Sequence, residues 1–174
     1  MPDLERRAAS GVTATGRKLT GTIARFDSEA RIGSFTETIK PGAFRASLAS
    51  GRDILALADH DPKAVLGRTK SGTLELHETS EGLAFSLALP DTQAGRDLVA
   101  LAERGDLGGC SFGFTVPKDG DHWNGDHREL RSVDLHEVSI VQSWPAYQNT
   151  EVSLRSRPTQ MFFLDTRKLW LETV

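Results

Sequence analysis

Ser111, His60 and one of the adjacent residues His136 and Glu137 are the side chains of this sequence best suited to hydrolytic chemistry. Ser111 lies in the apolar run Gly108-Gly109-Cys110-Ser111-Phe112-Gly113-Phe114, framed by glycines that let backbone approach a ligand closely. A serine hydroxyl becomes a nucleophile only when a base takes its proton. The candidate base is His60, in Leu57-Ala58-Asp59-His60-Asp61-Pro62. An ordinary imidazole is mostly neutral at pH 7 and free to accept that proton. It also needs a partner that fixes its tautomer and stabilises the imidazolium. Glu137 and His136, in Leu135-His136-Glu137-Val138-Ser139-Ile140-Val141, are both suitable, and strand alternation sends them to opposite faces.

Each residue has an ordinary reading beside the chemical one. Ser111 is also a small residue that fills a glycine-rich strand. His60, between two aspartates and before Pro62, suits a surface turn. Glu137 suits a cross-strand ion pair with Arg128 or Arg131. Gly109-Cys110-Ser111-Phe112-Gly113 matches G-x-S-x-G, but that pattern is a nucleophile elbow only where a strand turns sharply into a helix. Here Phe112-Gly113-Phe114-Thr115-Val116 continues as strand, and too few βα units are present for a doubly wound sheet. An α/β-hydrolase is excluded. Cys110 is a small buried hydrophobe rather than a nucleophile. His122 and His127 lie in a polar hairpin loop, Lys118 to His127, that lacks the ligand set of a zinc site. A metal-dependent hydrolase built on His60, Asp61 and the loop histidines is the enzymatic rival.

The bulk properties set the class. With 174 residues, 38% hydrophobic and 26% charged, the chain is long enough for one domain with a real core. A net charge of −3 gives no footprint for direct nucleic-acid binding. One cysteine excludes an internal disulfide and suits a reducing compartment. No apolar run reaches the length of a membrane span, and no apolar segment of a secretory signal follows Arg6 and Arg7.

The elements that must position these residues are mainly strands. Residues 1–17 are small and polar and read as a flexible arm. Strand-like segments run over Leu19–Phe26, Ser34–Ile39, Asp53–Ala58, Gly72–His77, Leu83–Leu89, Ser111–Val116, Arg128–Val133 and Leu135–Val141. Gly72–His77 and Leu83–Leu89 form a hairpin, and Glu151–Leu154 is a last short strand. Two helices are expected: a short one opened by Pro41, and one capped by Asp91 or Thr92 and ended by Gly105. This pattern predicts an α+β protein, mainly β: a closed or nearly closed β-barrel over residues 18–155 with helices outside. Residues 156–174 read as a Pro-containing linker and an amphipathic tail carrying Phe162, Phe163, Leu169, Trp170 and Leu171.

The motifs come in a particular order: Phe35 and Ile39-Lys40-Pro41-Gly42-Ala43-Phe44, then Asp59-His60-Asp61 with Leu66-Gly67, Ser71-Gly72-Thr73-Leu74 and Gly82-Leu83. Asp91-Thr92 with Gly95 follows, then Gly109-Cys110-Ser111-Phe112-Gly113-Phe114, Leu135-His136-Glu137-Val138-Ser139 and Pro145-Ala146. Over roughly residues 19–154 this succession resembles the HK97-type prohead proteases of tailed bacteriophages and related prophages. The resemblance implies a serine endopeptidase related in fold to the herpesvirus assembly proteases, with the nucleophile at Ser111, the base at His60 and the acidic third member at Glu137. The herpesvirus relatives use a second histidine, which keeps His136 open. No cofactor and no metal ligand are implied. The implied substrate is scaffold, or the scaffolding segment of the major capsid protein, and then the protease itself. The implied location is the host cytoplasm, inside the assembling procapsid. We expect a homo-oligomer, with no direct nucleic-acid or membrane partner, and a processing site in the linker Arg155–Thr159. The rival of another class is a catalytically inactive barrel kept as a capsid-assembly or scaffold-binding module.

Overall fold

The computed structural model describes residues 3–9 and 11–142. In chain order the strands are β1 (Glu5–Ala9), β2 (Val12–Thr15), β3 (Lys18–Arg25), β4 (Glu29–Ile32), β5 (Phe35–Ile39), β6 (Leu55–Ala58) and β7 (Asp61–Arg68). They continue with β8 (Leu74–Glu78), β9 (Gly82–Ala88), β10 (Gly109–Thr115), β11 (Asp121–Asn124), β12 (His127–Leu130) and β13 (Asp134–Val141). Helix α1 (Arg45–Ala49) follows β5, and α2 (Gln93–Arg104) follows β9. Thr92 caps α2, its Oγ1 accepting from Gly95 N at 3.3 Å, and Gly105 ends it at φ 76°. Leu98 is the fully buried anchor of its apolar face.

The strands form three sheets, ordered β1-β10-β13-β6-β7, β11-β12-β5-β4 and β2-β3-β9-β8. Their inner faces share one core, in which Phe44, Phe112, Phe114, Leu19, Leu83 and Leu87 are buried. The Phe112 and Phe114 rings stack with centroids 5.3 Å apart, and Phe44 meets Phe112 edge to face at 5.7 Å. No described helix is long and apolar enough to cross a membrane.

The mainly β character agrees with expectation; closure into a barrel does not. Among the described residues β1 and β7 stay unpaired with each other at the two ends of the five-stranded sheet, and the other two sheets are likewise open. Alternation of apolar residues shows which face of a strand is buried, but not which strand lies beside it. Nothing in the pattern announced the parallel pairings β5 with β12 and β6 with β13 that distribute the strands over three sheets.

Residues 1–17, read as a flexible arm, instead carry two strands. β1 pairs with β10 and β2 with β3. The inward positions of β1 are Glu5 and Arg7, both buried, so the period of two is present but written in charges. Four buried side chains close on one another there. Arg7 Nε and Nη2 bind the two oxygens of Glu37 at 2.7 and 2.8 Å. Arg128 Nη1 and Nη2 bind those of Glu5 at 2.7 and 2.9 Å. Arg128 Nε also donates to Asp121 Oδ2 at 2.8 Å. The segment Lys118–His127, read as a loop, contains β11, joined to β12 by Gly125-Asp126 with Gly125 at φ 59°. The expected strand Glu151–Leu154 and the tail lie outside the described residues.

Candidate active site

β10 separates core from site by simple alternation. Cys110, Phe112 and Phe114 enter the core, and Gly109, Ser111 and Gly113 face the other way. Ser111 stands opposite Ser139 of β13 and opposite Ala8 of β1. Gly113 stands opposite Glu137 and opposite Arg6. β10 is strand throughout, so the glycines flanking Ser111 do not make an elbow.

A bulge in β13 decides where the third candidate points. Gly113 pairs with Glu137 but Phe114 pairs with Leu135, so His136 is an extra residue in the ladder. Regular alternation would put Leu135 and Glu137 on one face. The bulge lets Leu135 enter the core while Glu137 faces the site. His136 is turned elsewhere. It accepts at Nδ1 from Arg52 Nη1 at 3.2 Å, and its Nε2 meets Thr115 Oγ1 at 2.9 Å. Burial, and then the Arg52 charge, lower its pKa.

His60 arrives on a tight hairpin. Ala58 of β6 pairs with Asp61 of β7, which leaves Asp59 and His60 as a two-residue loop, both with positive φ (48° and 61°). Two positive values at the centre of such a loop mark the type I′ turn, which favours Asn-Gly. A histidine there costs backbone energy, and strain of this kind concentrates at functional positions. Asp59 is anchored from the far strand end: its N–H donates to Ile140 O at 3.0 Å, and its carboxylate accepts from Gln142 N and Nε2 at 2.9 and 2.7 Å.

The turn delivers the imidazole to Glu137, and His60 Nδ1 donates to Glu137 Oε1 at 2.7 Å. Ser139 Oγ donates to Glu137 Oε2 at 2.6 Å, and Arg6 Nε lies 3.6 Å from Oε1. Burial pushes the Glu137 pKa up, but the hydrogen bonds from His60 and Ser139, with the charges of His60 and Arg6, outweigh it and leave it lowered. An ionised carboxylate only accepts, so Nδ1 carries the proton and Nε2 presents its lone pair. This pair can take a proton from a hydroxyl and hold the imidazolium that results.

Ser111 is buried on the same face, and its hydroxyl donates to Arg7 O of β1 at 2.7 Å. Among the described residues no hydrogen bond joins Ser111 to His60. Glu137 pairs with neither Arg128, which is committed to Glu5, Glu37 and Asp121, nor Arg131, which binds Glu129. Cys110 is buried, its Sγ 3.7 Å from Ala9 O and Thr22 O, and burial pushes its thiol up to about 12. His127 Nδ1 meets Thr36 Oγ1 at 2.8 Å, and the Asp61 carboxylate accepts from Lys63 N at 2.9 Å. No group of three or more His, Cys, Asp or Glu among the described residues is placed to hold a metal. Sequence reasoning missed Ser139 and Arg6. The Glu-x-Ser spacing on a strand was the available signal for Ser139; for Arg6 there was none without the β1–β10 pairing.

The family model described as Caudovirus prohead serine protease matches residues 3–162, and the chain belongs to that family. No curated protein and no solved structure matches the chain. The class is thus that of the serine proteases of the prohead, the capsid precursor of tailed phages.

Proposed function

We propose that the chain is the endopeptidase of capsid maturation, cleaving scaffold or the scaffolding segment of the major capsid protein, and then itself, inside the procapsid. Ser111 is its nucleophile, His60 its base and Glu137 the carboxylate that orients the base. The observation that carries this reading is the 2.7 Å bond between His60 Nδ1 and Glu137 Oε1 on the sheet face that holds Ser111. In the reaction Ser111 turns from the Arg7 carbonyl to His60 Nε2, gives up its proton and attacks the scissile carbonyl. The imidazolium then protonates the leaving amine, and water repeats the cycle on the acyl-enzyme. Membership of a protease family, together with a base already fixed on its carboxylate, favours this over an inactive assembly module.

The test is co-expression with the major capsid protein of the phage or prophage that carries this gene. Wild type cuts the capsid protein or scaffold at a site located by mass spectrometry, Ser111→Ala does not, and Cys110→Ala does. Cleavage that survives Ser111→Ala but not Cys110→Ala refutes the assignment, and loss of cleavage on chelation with rescue by zinc favours the metal-dependent rival.

A further inference from the structure

Glu137 Oε1 is approached by two nitrogen donors, one on an imidazole and one on a guanidinium. His60 Nδ1 lies 2.7 Å from it and Arg6 Nε 3.6 Å, so the two nitrogens are at most about 6 Å apart. The other oxygen, Oε2, is taken by the Ser139 hydroxyl. The register explains how Arg6 comes to be there. Arg6 faces Gly113 across β1–β10, and Gly113 faces Glu137 across β10–β13. Glycine leaves the middle strand bare, so the two long side chains meet above it. Arg6 Nε is buried without a hydrogen bond to any described residue, and Glu137 is the one carboxylate within 4.0 Å of its guanidinium among them. A buried donor left in that state is costly and calls for an explanation.

Resting on the Ser111–His60–Glu137 reading, we propose that Arg6 is a positioning residue of the active site: its fixed charge shares Glu137 Oε1 with His60 and weakens the imidazole's hold on a proton. A carboxylate that faces a histidine alone strengthens it as a base and keeps it protonated to higher pH. A general base works only in its neutral form, best with proton affinity matched to the operating pH. An arginine on the same carboxylate oxygen subtracts part of that field, and it does so at every working pH because guanidinium does not deprotonate. Other charges near His60 are the flanking aspartates. The Asp59 carboxylate is engaged by Gln142 and that of Asp61 by Lys63 N. Apart from Glu137 itself, the polar groups of β10 and β13 on this face, Ser111 and Ser139, are uncharged. Among the described residues Arg6 is therefore the arginine or lysine within 4.0 Å of the Glu137 carboxylate, and it opposes that carboxylate in setting the base.

The experiment is a proton NMR titration of the His60 ring in a Ser111→Ala background, which needs no protease activity and prevents self-cleavage. The resonance is assigned by its loss in His60→Gln. Arg6→Gln and Arg6→Met move the His60 midpoint to higher pH, and Arg6→Lys brings it most of the way back to the position it has with Arg6. In the active protein the acid limb of kcat/KM moves the same way. A midpoint that stays or falls in the neutral variants overturns the proposal. So does loss of the native amide spectrum in both of them, which would make Arg6 a residue of the fold and not of the site. A shifted midpoint, when the protein that keeps Ser111 cleaves nothing, would instead overturn the protease reading, and normal cleavage by that protein with an unshifted midpoint would overturn this one alone.

Discussion

Gly113 stands directly across from Glu137 in the β10–β13 ladder, and the Glu137 carboxylate occupies the space where a Gly113 side chain would be. A Cβ added there lies 2.5 Å from Oε1 and 3.1 Å from Cγ and Cδ. No left-handed backbone is involved at this position, so the demand for glycine is purely one of space. Gly113→Ala must push the carboxylate off the His60 ring. Displacement of a catalytic group by about 1 Å can cost on the order of 10²-fold. The expected result is a kcat lower by about that factor with a nearly unchanged KM on a short peptide. Unimpaired turnover by Gly113→Ala would show that the Glu137 position does not matter to the chemistry.

The bulge at His136 makes a matching pair of variants. Glu137→Gln keeps the shape and removes the carboxylate charge beside His60, and loss of a carboxylate that orients a catalytic histidine can cost on the order of 10⁴ in kcat. His136→Ala removes contacts to Arg52 and Thr115 only, so its activity stays within a few-fold of wild type. Peptide hydrolysis by the two variants, side by side, measures the difference. The reverse ranking would assign the serine–histidine–histidine arrangement and place His136 in the site.

Much of this was legible in the residues themselves. Leu83, Phe85, Leu87 and Leu89 alternate and lie in the core, with Leu83–Leu87 in β9, and Thr92 and Gly105 bound α2 as their capping chemistry requires. Ser111, His60 and Glu137 stood out as candidates because each belongs to a short motif of unusual composition, and the structure brings His60 onto Glu137 on the face that holds Ser111. Three things were hidden. Glu5 and Arg7 disguise a buried strand, since a rule that looks for apolar alternation passes over paired charges. The bulge at His136 is a matter of register, which depends on the partner strand. Barrel closure failed as an inference because short strands fix no partner, whereas Arg6 became visible only when β1 was laid beside β10.

Acid should unfold the protein through its buried carboxylates. Burial works against ionisation of Glu5, but Arg128 and Arg7 outweigh it, and its pKa, like that of Glu137, lies below the ordinary glutamate value. A depressed folded pKa means that the unfolded chain takes up the proton first as pH falls. The stabilisation is then fully present above the ordinary value of about 4.3 and is lost as pH falls through the folded values. Urea unfolding should give a midpoint that carries no loss from these groups between pH 7 and pH 5 and drops steeply below about pH 4. Glu5→Gln should flatten that acid slope. A slope equal to wild type in Glu5→Gln would remove Glu5 from the account.

The same cluster predicts a large gap between two arginines three residues apart. Arg128 is buried and bound to Glu5, Glu37 and Asp121, whereas Arg131 is half exposed and bound to Glu129 alone. Removing Arg128 leaves Glu5 without its bidentate partner and Glu37 with only Arg7. Truncating one partner of a buried ion group typically costs 3–5 kcal/mol, because the remaining charge stays desolvated and unpaired. An exposed pair is worth about 0–1 kcal/mol. Arg128→Ala should therefore lower the urea midpoint severely and Arg131→Ala hardly at all. The consequence reaches the site, since Glu5 and Arg7 seat β1, and β1 presents Arg6 to Glu137 and the Arg7 carbonyl to Ser111. Arg128→Ala should accordingly lose protection of the β1 and β10 amides in hydrogen exchange before those of β3 and β9. Uniform loss over all three sheets would mean that the cluster holds the whole domain together and has no particular hold on the strand beside Ser111.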